Sequence, residues 1–143
     1  EKTEKARVKI LNFWMKKIEL LHSDITDDIL KTFFHVYNPL GYGFLEKVYE
    51  NAMVIALKQT KHSVEQQHPI KVYFEENIIG EYYADLFVDD KVIVELKTSE
   101  IIAKEHEAQL LNYLKATQIE VGLLLNFGKK PEFKRRVFSN SNK

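Results

Sequence analysis

The stretch Tyr83-Ala84-Asp85-Leu86-Phe87-Val88-Asp89-Asp90-Lys91-Val92-Ile93-Val94-Glu95-Leu96-Lys97 decides how the chain folds. Two runs rich in β-branched and aromatic residues flank a polar loop, the pattern of a hairpin. Strand side chains alternate, so Val92, Val94 and Leu96 share one face while Glu95 and Lys97 share the other. On the first run Ala84, Leu86 and Val88 form one set, Asp85 and Phe87 the other. A two-residue turn at Asp89-Asp90 would set Asp85 against Val94 and send the two acids to opposite faces. A three-residue loop, Asp89-Asp90-Lys91, sets Asp85 against Glu95. It also pairs Val88 with Val92, Leu86 with Val94 and Ala84 with Leu96, giving one continuous apolar face. A one-residue slip would scramble both faces. The sequence therefore predicts a three-residue loop or an equivalent bulge.

That register brings two carboxylates face to face with a lysine two residues beyond one of them. Like charges directly opposite are destabilising, so the pair needs compensation. A hard cation, Mg²⁺ or Mn²⁺, supplies it, because such ions take carboxylate oxygens and keep room for a phosphate. The expected ligands are Asp85 and Glu95, with Lys97 holding an attacking water or neutralising charge on phosphorus oxygens. Alternating acid and lysine is also what any solvated strand face presents, so this triplet alone matches many chains.

Two further pairs add to it. Glu46 opens a helix in Gly43-Phe44-Leu45-Glu46-Lys47-Val48-Tyr49. It either complements the helix dipole or serves as a third acid aimed at the metal, with Gly43 letting the backbone approach closely. On a later helix Gln109 and Tyr113, four residues apart, share a face. They form either a polar edge with the tyrosine in the core, or a pair that orients substrate or an active-site acid.

Around this centre the chain reads as one domain. Its 143 residues are 45% hydrophobic and 29% charged, enough for a single core and unlike a disordered segment. The 21 basic and 21 acidic residues cancel, so bulk charge points to no polyanionic partner. The absence of cysteine excludes disulfides and thiolate sites. No apolar run reaches the ~20 residues of a bilayer span, and the first residues lack a signal-peptide pattern, so a cytoplasmic protein without membrane contact is expected. Residues 1–20 read as an amphipathic helical extension with Val8, Ile10, Leu11, Trp14 and Ile18 among lysines, packed on the domain or on a neighbouring subunit. Residues 21–143 form the domain. Ser23 or Asp24 caps a helix with an apolar stripe of Ile25, Ile29, Leu30, Phe33 and Phe34, ending at Asn38-Pro39. A second helix follows from about Phe44 to Gln59, its inner face including Leu45, Val48, Tyr49, Ala52 and Ile55. Strands are expected at Ile70–Phe74, Ile78–Val88 and Lys91–Lys97, a helix at Ala103–Ala116, a buried strand at Val121–Asn126 and a short edge strand at Val137-Phe138. The order implies an α/β fold with a mixed central β-sheet flanked by helices.

At these motifs the sequence resembles the GxxExxY family of prokaryotic proteins, a branch of the PD-(D/E)XK nuclease superfamily. The carrying residues are Gly43 to Tyr49, Ala84-Asp85-Leu86, Val94-Glu95-Leu96-Lys97, Glu107 to Lys115, Gly122 and Asn126-Phe127-Gly128, within residues 22 to 139. The resemblance implies a restriction-endonuclease-like core, a metal site of Asp85 and Glu95 with Glu46 nearby, and a catalytic Lys97. It also likens Gln109 and Tyr113 to the QxxxY motif of RecB-like and lambda-exonuclease-like nucleases. Ala84 stands where the superfamily's name has proline, a position that supplies no ligand.

The expected function is Mg²⁺-dependent hydrolysis of nucleic acid, DNA before RNA. Lys97, Lys104, Lys115, Lys129, Lys130, Lys134, Arg135 and Arg136 are candidates for backbone phosphate contacts. A non-catalytic nucleic-acid-binding or protein-interaction module on the same fold is the alternative, favoured by neutral charge and small size. A third is a structural subunit that self-associates through its N-terminal helix; a homodimer or partner protein fits several of these readings. His22, His35, His62, His68 and His106 show no paired ligand spacing and read as structural or exposed, with His106 nearest the site.

Overall fold

A computed structural model describes residues 2–143. The order is α1 (Lys2–Leu20), α2 (Ser23–Leu40), α3 (Glu46–Lys58), β1 (Val64–Phe74), β2 (Asn77–Val88), β3 (Val92–Lys97), α4 (Lys104–Ala116), β4 (Val121–Phe127), β5 (Pro131–Val137) and a short 3₁₀ turn at Asn140–Asn142. The five strands lie in sequence order, β1 and β5 at the edges. β3 and β4 run parallel, joined across α4, and the other pairs are antiparallel. This is the mixed sheet with flanking helices that the pattern implied.

Two apolar layers hold it. On one side Ile29 and Phe33 of α2 and Met53 and Leu57 of α3 pack on Leu86, Val88, Val94, Leu96, Leu123 and Leu125. On the other Leu110, Tyr113 and Leu114 of α4 cover Ile70, Ala84, Phe87, Ile93 and Leu124. Each fully buried large side chain contributes roughly 1.5–3 kcal/mol. Gly122 lets α4 press close, since a Cβ there would stand 2.6 Å from a Leu110 methyl.

The β2–β3 hairpin takes the predicted register: Val88 faces Val92 and Leu86 faces Val94 across the three-residue loop. Asp89 and Asp90 have φ of 52° and 54°, the double left-handed bend that matches strand twist. Beyond Leu86 and Val94 the ladder stops, and Ala84 does not pair with Leu96. Nor do Ala84, Leu86 and Val88 share a layer: Ala84 lies under α4, the other two under α2 and α3. The strand turns over at Asp85. Opposite it on β1, Gln67 has φ of 54°, and the pairing skips from Gln66–Leu86 to His68–Ala84.

Several boundaries differ from expectation. β1 begins at Val64, through Pro69, and β5 begins at Pro131. Both are edge strands, where a missing N–H costs no ladder bond. Pro39 lies inside the last turn of α2 rather than ending it, and His22, not Ser23 or Asp24, stands at the N-cap. The buried face of α3 is Tyr49, Glu50, Met53, Val54 and Leu57; Leu45, Val48 and Ile55 are exposed. The α1 helix buries none of its residues, and Trp14 is 55% exposed, so it does not pack on the domain as anticipated. No helix of the described residues is long and apolar enough to cross a membrane.

Candidate active site

Where the β2–β3 ladder opens, side chains take over from backbone. The Asp85 N–H donates to Glu95 Oε2 at 2.7 Å, and the Leu96 N–H donates to Asp85 Oδ2 at 2.8 Å. Each carboxylate thus seals the gap left by the diverging strand, and the two acids end up side by side. Glu95 is only 4% exposed. Burial, reinforced by the negative charge of Asp85, pushes its carboxyl up to about 8. Burial also raises Asp85, the Leu96 N–H offsetting part of this and the charge of Glu50 adding to it.

Hydrogen bonds alone do not balance the charge of this pair. A hydrogen bond to a charged group contributes ~1.5–3 kcal/mol, whereas burying an ion costs several. One backbone N–H per carboxylate leaves a deficit that amides in the same places would avoid.

Glu46, Lys97 and Tyr113 lie within electrostatic reach of this pair. Glu46 sits in the first turn of α3, where burial raises its carboxyl while the charges of Lys97 and Asp85 pull in opposite directions. Its placement depends on Tyr49, whose hydroxyl donates to Gly41 O at 2.7 Å and accepts from Phe44 N at 3.2 Å. The Tyr49 ring stacks on Phe127, centroids 4.2 Å apart. The Gly-to-Tyr spacing is therefore a brace for the loop that delivers Glu46. Gly43 contributes its φ of 109°, and a Cβ there would meet no protein atom within 4 Å. Lys97 ends β3 half-buried and makes no direct ion pair among the described residues.

Gln109 Nε2 donates to the Tyr113 hydroxyl at 2.9 Å. Burial and the charge of Glu95 push that phenol up to about 12, so it stays protonated. With its oxygen already accepting from Gln109, its own proton is free to point elsewhere. His106 is fixed at the start of α4, its Nδ1 accepting from Ala103 N at 3.1 Å. Asn126, fully buried, holds the loop after Lys97: Ser99 N donates to its Oδ1 at 3.0 Å and its Nδ2 donates to Ser99 O at 2.8 Å. A Cβ on Gly128 would collide with the Ser99 carbonyl, so the Asn-Phe-Gly run shapes the same loop.

Two residues near the acids were not anticipated. Glu50, 4% exposed, lies one helical turn beyond Glu46. It accepts from Lys47 Nζ at 2.6 Å, Gln66 Nε2 at 2.7 Å and Gln67 Nε2 at 2.8 Å. Gln67 Nε2 also reaches Asp85 Oδ1 at 3.4 Å. The left-handed backbone of Gln67 costs ~1–2 kcal/mol. Its bond to the Glu50 carboxylate offsets that cost and ties β1, α3 and Asp85 together. The run Val64-Glu65-Gln66-Gln67 is polar and carries no alternation that could signal the bend.

Among the described residues no three His, Cys, Asp or Glu side chains already stand together as a metal cluster. The donor chemistry nonetheless suits a hard cation: carboxylate oxygens without histidine or thiolate. Of the basic residues, Arg135 is turned inward onto Leu21 O and Arg136 pairs with Glu107, so neither is free for phosphate. Lys104, Lys115, Lys129, Lys130 and Lys134 are exposed.

No curated protein matches the chain. A solved structure described as "Crystal structure of SSO0001" is similar at 16% identity with a TM-score of 0.52, over 65% of this chain and 50% of that one. The chain thus spans about half the length of that protein, and the likeness speaks to the fold. The family model of the PD-(D/E)XK nuclease superfamily matches residues 23–136, the whole span from α2 to the end of the sheet, and the chain belongs to that superfamily.

Proposed function

We propose that the protein is a metal-dependent nuclease of the GxxExxY type, hydrolysing phosphodiester bonds of nucleic acid, DNA before RNA, with residues 21–143 as the catalytic unit. The observation that carries this is the half-buried Asp85 beside the buried Glu95, with no protein cation bonded to either. Asp85, Glu95 and Glu46 would hold Mg²⁺ or Mn²⁺. When bound, such an ion supplies Lewis acidity at a phosphoryl oxygen and acidifies water. Lys97 directs its ammonium at the attacking water or at charge gathering on the phosphate. Tyr113, kept protonated and oriented by Gln109, donates a hydrogen bond to the substrate or to an active-site acid. Gln67 and Glu50 hold Asp85 in place from the far side.

Incubation of plasmid and oligonucleotide substrates with Mg²⁺ or Mn²⁺ tests this. Cleavage that vanishes in Asp85→Asn, Glu95→Gln and Lys97→Ala, with circular dichroism unchanged, supports the reading. Binding without cleavage under every metal supports the silent module instead, the reading favoured by a chain whose acids and bases cancel.

A further inference from the structure

Beside the acids a groove of about 940 Å³ runs between the outer half of the β1–β2 hairpin and the exposed side of α4. Val72, Tyr73 and Tyr82 form one wall, and His106, Gln109 and Tyr113 the other. The groove is continuous with the site already described: Gln109 and Tyr113 belong to both, and the charge of Asp85 and Glu95 bears on Tyr113. Asp85 and Glu95 do not themselves line it, so a ligand lying along it meets Gln109 and Tyr113 first, at the end where the charge of the two acids is felt.

Its walls are unusual for a protein surface. Tyr82 is 48% exposed and Tyr73 58% exposed, and the Tyr82 ring stands 5.7 Å from that of Tyr113, tilted by 44°. This arrangement follows from the reversal at Gln67 and Asp85. Were the strands regular through that point, the even-numbered residues of outer β2 would stay with Leu86 and Val88 on the α2 and α3 side. The reversal instead puts Ala84 under α4 and Tyr82 against Tyr113.

The charges are few. Lys115 and Glu105 both line the groove and oppose each other, and the chain as a whole is neutral. A duplex offers phosphates and base edges while its base faces are covered by neighbouring pairs, so it needs a cationic surface to hold it. This groove is not one. Unpaired bases present flat π-faces, which stack on aromatic rings whatever their sequence.

On the nuclease reading above, we propose that the groove is the substrate subsite and takes unpaired bases of a single-stranded nucleic-acid segment. The bases stack on Tyr82 and Tyr73 while an adjoining phosphodiester lies at Asp85 and Glu95. Affinity then comes from stacking more than from phosphate contacts, so it falls only shallowly with salt.

The test is fluorescence anisotropy of the full chain in EDTA, where nothing is cut, with a labelled oligothymidylate and a labelled duplex of equal length. The single strand is expected to bind more tightly than the duplex. Tyr82→Ala is expected to weaken single-strand binding about tenfold, in line with the stacking energy of one base. Tyr73→Ala acts in the same direction, and Tyr82→Phe, which keeps the ring, restores binding. Unchanged single-strand affinity in both alanine variants, equal loss toward the duplex, or a preference for duplex would each overturn the proposal. So would a mass that doubles with concentration in light scattering and that Tyr82→Ala abolishes, since the groove would then seat a second copy. Single-strand binding that needs Tyr82 in a protein that never cuts keeps the groove and removes the nuclease. Cutting that ignores both tyrosines does the reverse.

Discussion

Strand β2 and the turn that follows it each contribute an aspartate to an acid pair, and the two pairs are treated in opposite ways. At the turn, Asp89 shares His62 with Asp28 of α2: Nδ1 lies 2.5 Å from Asp89 Oδ2 and Nε2 lies 2.6 Å from Asp28 Oδ2. With a carboxylate on each ring nitrogen, His62 is an imidazolium donating twice. Its hydrogen bond to Asp28 raises it above the ordinary histidine value, and the same bond lowers Asp28. Burial works to raise Asp89, but hydrogen bonds from His62 and Ser63 outweigh it and hold it low. Four residues before Asp89, Asp85 and its neighbour Glu95 have no such partner, and both are pushed up. A structural acid pair brings its counter-charge within the chain. A pair kept without one is available for a charge from outside, and that difference separates the clamp from the site.

The contrast can be broken most severely at the site. Replacing Asp85 by Asn or Lys97 by Ala is expected to lower the cleavage rate by about 10³-fold or more, measured as turnover at saturating metal, because transition-state charge stabilisation is lost. Stability should barely fall. The clamp behaves inversely: His62→Ala leaves two partly buried carboxylates unpaired and is expected to cost about 2 kcal/mol in urea unfolding, with the cleavage rate per folded molecule little changed.

The clamp's pH dependence has a definite sign. Because the folded pKa of His62 lies above the unfolded one, its stabilisation is complete below the ordinary value of about 6.5 and fades as pH rises through the folded value. Unfolding midpoints taken from pH 6 to pH 9 should fall in the wild type more than in His62→Gln. At the site, Glu95→Gln keeps an acceptor for the Asp85 N–H and removes the buried charge. Metal-free, above pH 8, it should be more stable than wild type by ~1–2 kcal/mol, while losing activity. The smallest effect belongs to Gln67→Ala, which removes the bridge from Glu50 to Asp85. A few-fold loss of activity and less than ~1 kcal/mol of stability are expected, because the strained backbone partly relaxes.

How much of this was legible in the sequence follows from where side-chain pattern and backbone agree. The apolar alternation of Leu86, Val88, Val92 and Val94 is strong enough to determine the hairpin register; the motif spacings single out Glu46, Asp85, Glu95, Lys97, Gln109 and Tyr113 as candidates, of which the structure bonds Asp85 with Glu95 and Gln109 with Tyr113. The pattern failed where the strands reverse. Nothing in Gln66-Gln67-His68 announces a left-handed residue, so the pattern starts β1 at Ile70 and runs the even face of β2 without a break. Glu50 was missed because the inner face of α3 was drawn through Val48 and Ile55. The true face runs through Met53 and Leu57, and Glu50 lies buried beside it. The charged Lys134-Arg135-Arg136 run reads as a phosphate-contacting surface rather than as part of an edge strand, yet Arg135 and Arg136 spend their charge inside the fold.

Calorimetric titration of Mn²⁺ into the wild type and into the double variant Asp85→Asn, Glu95→Gln is the most direct test of the contrast. The account predicts saturable binding by the wild type at pH 8, none by the double variant, and undiminished binding by His62→Gln. Equal binding by the double variant, or no binding by the wild type, would contradict it.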